Sequence, residues 1–138
     1  SVTGNLFKKT NGAQLEAVDG VDNSIANLDL NRTADLEFKG NTYHGIVKRT
    51  ENPISIRAVQ GSAVQSWNVD LSDYLPFGAP VKYGLSVLPD GPMRSSSNVV
   101  VYSSPYTQGL QGAGGQTLRV TWSQALKGAA YVTARCDN

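Results

Sequence analysis

Turn-forming clusters interrupt this chain too often for long helices to fit between them. Asn11-Gly12, Asp19-Gly20, Lys39-Gly40-Asn41, Asn52-Pro53, Gln60-Gly61-Ser62, Phe77-Gly78-Ala79-Pro80, Pro89-Asp90-Gly91-Pro92, Ser104-Pro105 and Gly112-Ala113-Gly114-Gly115 punctuate it from end to end. Glycine reaches positive φ at little steric cost, and proline fixes φ while removing a backbone donor, so each cluster favours a reversal. Reversals spaced about 8 to 12 residues apart are the pattern of a β-sandwich or barrel.

Between the turns apolar residues alternate, which on a strand places them on one face. Leu28 and Leu30 alternate with polar neighbours, as do Leu36 and Phe38. Ile54, Ile56 and Ala58 form one face against Ser55 and Arg57. Trp67, Val69 and Leu71 do the same against Ser66, Asn68 and Asp70. Val81, Tyr83, Leu85 and Val87 follow, and then Leu118, Val120 and Trp122. The core is expected on the last three of these strands and on the 54–58 strand.

Two segments are less regular. Val99, Val100, Val101 and Tyr102 run without alternation, as expected of a strand covered on both faces or lying in a subunit contact. Within Ser123–Ala134 a helix is opposed by Gly128, which costs about 1 kcal/mol relative to alanine, and by the β-favouring Tyr131, Val132 and Thr133. A short turn followed by a last strand from Ala129 to Arg135 is expected instead.

The fold class expected is all-β: an antiparallel two-sheet sandwich or partly closed barrel of about nine or ten short strands, with little helix. With 138 residues, no fixed-period repeat and no long linker, residues 1–138 read as a single β domain.

Charge separates the function classes. Charged residues make up only 17% of the chain and the net charge is +1, so overall charge makes no case for nucleic acid or an anionic membrane. A polar but uncharged surface suits secreted β-proteins and subunits packed against their own copies, where each buried charge needs a partner. No apolar run approaches the roughly 20 residues of a membrane-spanning helix, and Ser1-Val2-Thr3-Gly4-Asn5 lacks the features of a signal peptide. Membrane insertion is therefore not expected. The lone cysteine, Cys136, allows no intrachain disulfide. It reads as an incidental thiol or a link between subunits, so that Cys136→Ser is expected to matter only if subunits are cross-linked.

Catalytic chemistry finds little to use. The single histidine, His44, is expected on the surface of a strand from Thr42 to Arg49, and neither HExxH nor a Gly-x-Ser-x-Gly elbow occurs. Asp19-Gly20-Val21-Asp22-Asn23 lacks the spacing of a calcium loop and reads as a turn. Gly109–Gly115 lacks the lysine and following helix of a phosphate loop. No cofactor, metal or catalytic residue is assigned. A carboxylate-based hydrolase stays the least favoured reading, since some pair among so many acids meets its spacing by chance.

Surface contacts are the remaining route to function. If the 42–49 and 53–60 strands form a hairpin, Tyr43, Lys48, Arg49 and Arg57 gather as a partner or nucleic-acid surface. Tyr74, Tyr102 and Tyr106 stand near turns as candidates for stacking on sugars, and Asn31-Arg32-Thr33 matches an N-glycosylation acceptor. Val99, Val100, Val101 and Tyr102 are the candidate subunit contact. The function expected is a non-enzymatic structural or interaction protein: a self-assembling coat, decoration, pilus or surface component, extracellular, at the cell surface or in a virion. Its main partners would be copies of itself. The alternative is a monomeric module binding carbohydrate or a protein receptor.

Overall fold

The computed structural model describes residues 1–22, 24–29, 32–111 and 113–137. Among these residues ten strands appear in the order β1 (Val2–Thr3), β2 (Leu6–Lys8), β3 (Phe38–Lys39), β4 (Thr42–His44), β5 (Ile54–Asp70), β6 (Tyr83–Pro89), β7 (Met93–Ser95), β8 (Val100–Val101), β9 (Tyr106–Gln111) and β10 (Thr117–Arg135). The architecture is all-β, built on a six-stranded antiparallel sheet with two small two-stranded sheets beside it.

Strand β10 organises the large sheet. One side pairs along its length with β5, and β9, β7 and β6 pair with it as well. Strand β8 extends the sheet from β7. Only two strands are long, at 17 and 19 residues, and they replace the four short ones expected from the turn signals. Gln60-Gly61-Ser62 does not reverse the chain: Gln60 pairs with Gly128, Gly61 and Ser62 fall at a register shift, and pairing resumes at Val64, while the 118–122 and 129–135 segments are the two ends of β10.

Those turn-like residues instead allow the strand pair to bend. Register breaks between Thr121 and Leu126 and again between Leu126 and Gly128. Gln108 lies opposite Val120, and Gly84 lies opposite Ala134. A straight strand would hold those two positions of β10 roughly 45 Å apart. Yet a Cβ built on Gly84 would fall 1.4 Å from the Gln108 Oε1. The Val81 N–H likewise donates to the Gly115 carbonyl at 3.0 Å. The ribbon therefore folds over on itself, and its two arms act as the two layers of a sandwich, with bulges making the corner.

The core lies between the arms. Trp67, Val69, Leu118, Val120 and Trp122 from one arm and Ile54, Val87, Ala130, Val132 and Ala134 from the other belong to one buried cluster. Alternation locates most of these residues, but it misplaces two on β6. Tyr83 and Leu85 are 47% and 51% exposed. Ser86 pairs with Thr133 and Gly84 with Ala134, so Leu85 is the extra residue of a bulge and the two sides of β6 exchange faces there. Leu28 is exposed too, in a segment without a strand among the described residues; Leu30 lies outside the described residues.

The first third of the chain wraps this body as a thin ribbon. Strand β1 pairs in parallel with β3, and β2 with β4. The expected 42–49 strand stops at His44, where Gly45 adopts φ 68° and a Cβ added to it would stand only 3.1 Å from the Lys9 Cβ. A buried polar clamp fixes the ribbon to the C-terminal end. The Asp137 carboxylate, fully buried, accepts from the Leu36 N–H at 2.7 Å, from the Asn52 Nδ2 at 2.7 Å and from the Arg135 guanidinium at 3.0 and 3.1 Å. The Asn52 Oδ1 accepts from the Cys136 N–H at 3.1 Å, so each end of this amide is used. Hydrogen bonds from Arg135, Asn52 and Leu36 outweigh the upward push of burial and hold Asp137 below its ordinary pKa.

Candidate functional site

Among the described residues, an open sheet edge and a polar cleft have the geometry to engage a partner. The edge belongs to β5, which among the described residues pairs on one side only. Edge strands are usually protected by proline, lysine, bulging away or brevity. Strand β5 has neither proline nor lysine, and Arg57 and its terminal Asp70 are its only charges. Val59, 65% exposed, and Val64, 36% exposed, add apolar surface along it.

The cleft, of about 450 Å³, forms where the N-terminal ribbon meets the segment after β5. Tyr43 stands in its wall. Phe7 stacks on that ring at 5.4 Å and 18°, and the phenol donates to the Thr50 carbonyl at 2.6 Å, so the ring is held from behind and at its tip. Tyr74 stands in the same cleft, positioned by the hydrogen bond from the Glu51 N–H to its carbonyl at 2.9 Å. Thr50 is buried, and its hydroxyl donates to Asp19 Oδ1; the other Asp19 oxygen accepts the Phe77 N–H at 2.5 Å. Asp19 is thus a structural tie of the cleft floor. The neighbouring Asp22 carboxylate accepts the Ser24 N–H at 2.9 Å, and Asn23 between them lies outside the described residues.

Charge in the cleft is mixed. Burial pushes the Glu51 carboxyl above the usual carboxylate range, with Lys39 pulling it back. Burial likewise raises the Tyr43 phenol, which stays neutral at physiological pH. The Arg49 side chain lines the cleft and has neither an ion pair nor a hydrogen bond among the described residues.

The expected cationic surface is therefore divided. Tyr43 and Arg49 share the cleft, whereas Lys48 is half-buried outside its lining and Arg57 lies on the outer face of the large sheet, bonded to Asp90 at 2.6 Å. The hairpin that would have joined them is absent among the described residues, because β4 pairs with β2 and β5 with β10. Of the candidate subunit contact, Val100 and Val101 form the short strand β8, Val101 packs on the core, and Val99 and Tyr102 are 62% and 96% exposed. It is an outer strand, not one covered on both faces. His44 ends β4 on the surface. Asn31 and Gly112 lie outside the described residues.

Sequence reasoning missed Asn41, Thr50 and Glu51. Asn41 is tied to the first strands by hydrogen bonds with Asn5 and Val2, and Thr50 and Glu51 reach the cleft through bonds to the Tyr43 phenol and the Tyr74 carbonyl, contacts across the chain that leave no local signal. Trp67 and Trp122, the other aromatics that could face a sugar, are both core residues.

Among the described residues no helix is long and apolar enough to cross a membrane. The chain defines an all-β fold on a bent antiparallel sheet, and no family model, curated protein or solved structure matches it.

Proposed function

We propose that this protein is a non-enzymatic structural or interaction subunit that assembles with copies of itself by adding strands at the edge of β5. The open 17-residue edge carries this reading, since its unpaired amides and carbonyls are a template for another strand. A second copy suits the edge. The faces exchange within β5: Ala58 and Val69 both point to the core side, and Arg57 and Asp70 both point away. Antiparallel pairing of two β5 strands centred between Ala63 and Val64 keeps the core sides together. It also sets Arg57 of each copy, which already holds Asp90 of its own chain, opposite Asp70 of the other, so that each charge of the strand faces one of opposite sign across the contact. The low charge of the whole chain favours such close contacts, and an extracellular, cell-surface or virion setting belongs to the same proposal.

Light scattering with negative-stain microscopy, across protein concentration and salt, tests it. Discrete oligomers, particles or filaments are expected, and they should be lost in Val59→Lys/Ser62→Lys, which places two cations along the edge. A mass that stays monomeric at high concentration, or assemblies indifferent to the two lysines, would reject the β5 contact.

A further inference from the structure

We infer that the cleft between the N-terminal ribbon and Tyr74 is a binding site for a neutral saccharide. The inference stands apart from assembly, since no cleft-lining residue belongs to β5.

Its size falls within the range of about 300–1,000 Å³ typical of small-molecule sites, which is room for a sugar ring or two. Two tyrosines border it, and aromatic rings pack on the apolar C–H faces of sugars. The Tyr43 ring is already fixed by Phe7 and Thr50, so little side-chain freedom is lost when a ligand settles on it. Sugar hydroxyls both donate and accept, and the cleft offers both kinds of partner: the Arg49 guanidinium donates and the Glu51 carboxylate accepts. Arg49 has no partner of its own to abandon among the described residues. An anionic sugar would set its charge near Glu51 and Asp19, whose fields both reach Tyr43. A single-stranded nucleic acid would meet the same acids, with only Arg49 in the lining and Lys39 near Glu51 to offset them. The mixed lining therefore favours a ligand without net charge.

The probes are the methyl glycosides of galactose, glucose, mannose, N-acetylglucosamine and N-acetylneuraminic acid, with oligo-dT as a nucleic-acid control. Binding is followed by NMR shift perturbation on dilute protein. At least one neutral glycoside is expected to bind with millimolar or better affinity and to shift the amides of residues 40–43 and 49–51. Tyr74→Ala, Arg49→Ala and Glu51→Gln should each weaken it about tenfold or more, and Val59→Lys should leave it unchanged. Tyr74 is partly packed on the core, so Arg49→Ala and Glu51→Gln carry the test if Tyr74→Ala fails to fold. No shift with any neutral glycoside, shifts elsewhere than the cleft, binding indifferent to Arg49→Ala and Glu51→Gln, or binding of oligo-dT or the acidic sugar alone would each overturn the inference.

Discussion

Trp67 and Trp122 meet edge to face in the core, ring centroids 5.5 Å apart at 68°, but only Trp67 has an acceptor for its indole N–H. Its Nε1 donates to the Leu126 carbonyl at 3.2 Å, where the register of β5 and β10 breaks, while Trp122 Nε1 is buried without a partner among the described residues. Replacement of either by alanine is expected to cost about 3–5 kcal/mol. Phenylalanine should separate them: Trp67→Phe removes the donor to the Leu126 carbonyl for a further cost of about 1–3 kcal/mol, whereas Trp122→Phe loses contact area but also removes an unpartnered buried N–H. Urea unfolding of the four variants measures both differences, and equal phenylalanine costs would show that the Leu126 bond does not hold the bend.

Gly128 is the backbone position with least room at the corner. Its φ is 143°, and an added Cβ would stand 2.8 Å from the Met93 sulfur and 3.3 Å from the Pro92 carbonyl oxygen. Gly128→Ala should destabilise by about 1–3 kcal/mol through overpacking there. Gly61→Ala, with nothing within 4 Å, should be neutral or mildly stabilising, although both glycines lie inside long strands. Thermal midpoints of the pair decide whether the corner depends on that close approach.

Acid should open the polar clamp. The Asp137 carboxyl is held below its ordinary value, so its contribution is fully present above the unfolded value of about 3.9 and is lost as pH falls through the lower folded value. Asp137→Asn should weaken the fold at pH 7 and flatten the loss below about pH 4. Urea midpoints at pH 7, 5, 4 and 3 test the sign; identical profiles for the two proteins would reassign the acid sensitivity to other carboxylates.

Glu51 has the opposite sign. Burial raises its pKa, so the folded state loses stability as pH rises above the unfolded value of about 4.3. Glu51→Gln is accordingly expected to raise the thermal midpoint at pH 7 while weakening saccharide binding. A lower midpoint would mean that Glu51 helps to hold its surroundings together.

Cys136 should resist thiol reagents in the folded protein. It is 2% exposed within the core, and burial, with the adjacent Asp137 charge, pushes its pKa up to about 11. Alkylation should track global unfolding in urea. Cys136→Ser should cost about 1–3 kcal/mol even without any cross-link, because a hydroxyl would enter an apolar site. Rapid labelling of native protein would show that the C-terminal end opens locally.

Much of the fold is legible because alternation reports burial directly: Ile54, Trp67, Val69, Val87, Leu118, Val120 and Trp122 all carry the alternating signal and all are buried. Strand length is not. Gln60-Gly61-Ser62 and Gly128 have the chemistry of turns, and a strand already paired along one side spends that chemistry on bulges. Local signals mark where backbone can bend; only pairing decides how far. The cleft is half legible for the same reason, since Tyr43 and Arg49 stand out as surface residues but Asn41 and Glu51 acquire their roles through hydrogen bonds to Asn5, Val2 and Tyr74, far off in the chain.

The position of β10 bears on synthesis. Strands β5, β6, β7 and β9 all pair with a segment that is translated after them, and the clamp joins Leu36 to Asp137 across 101 residues. Such non-local pairing folds slowly, on the order of milliseconds to seconds. On the ribosome the earlier strands would emerge with apolar faces and open edges, and would find their common partner only after residue 135 had cleared the exit tunnel. Until then the same edge chemistry proposed for assembly is available to any neighbouring nascent chain, so chaperone protection during translation is where this topology places its greatest demand.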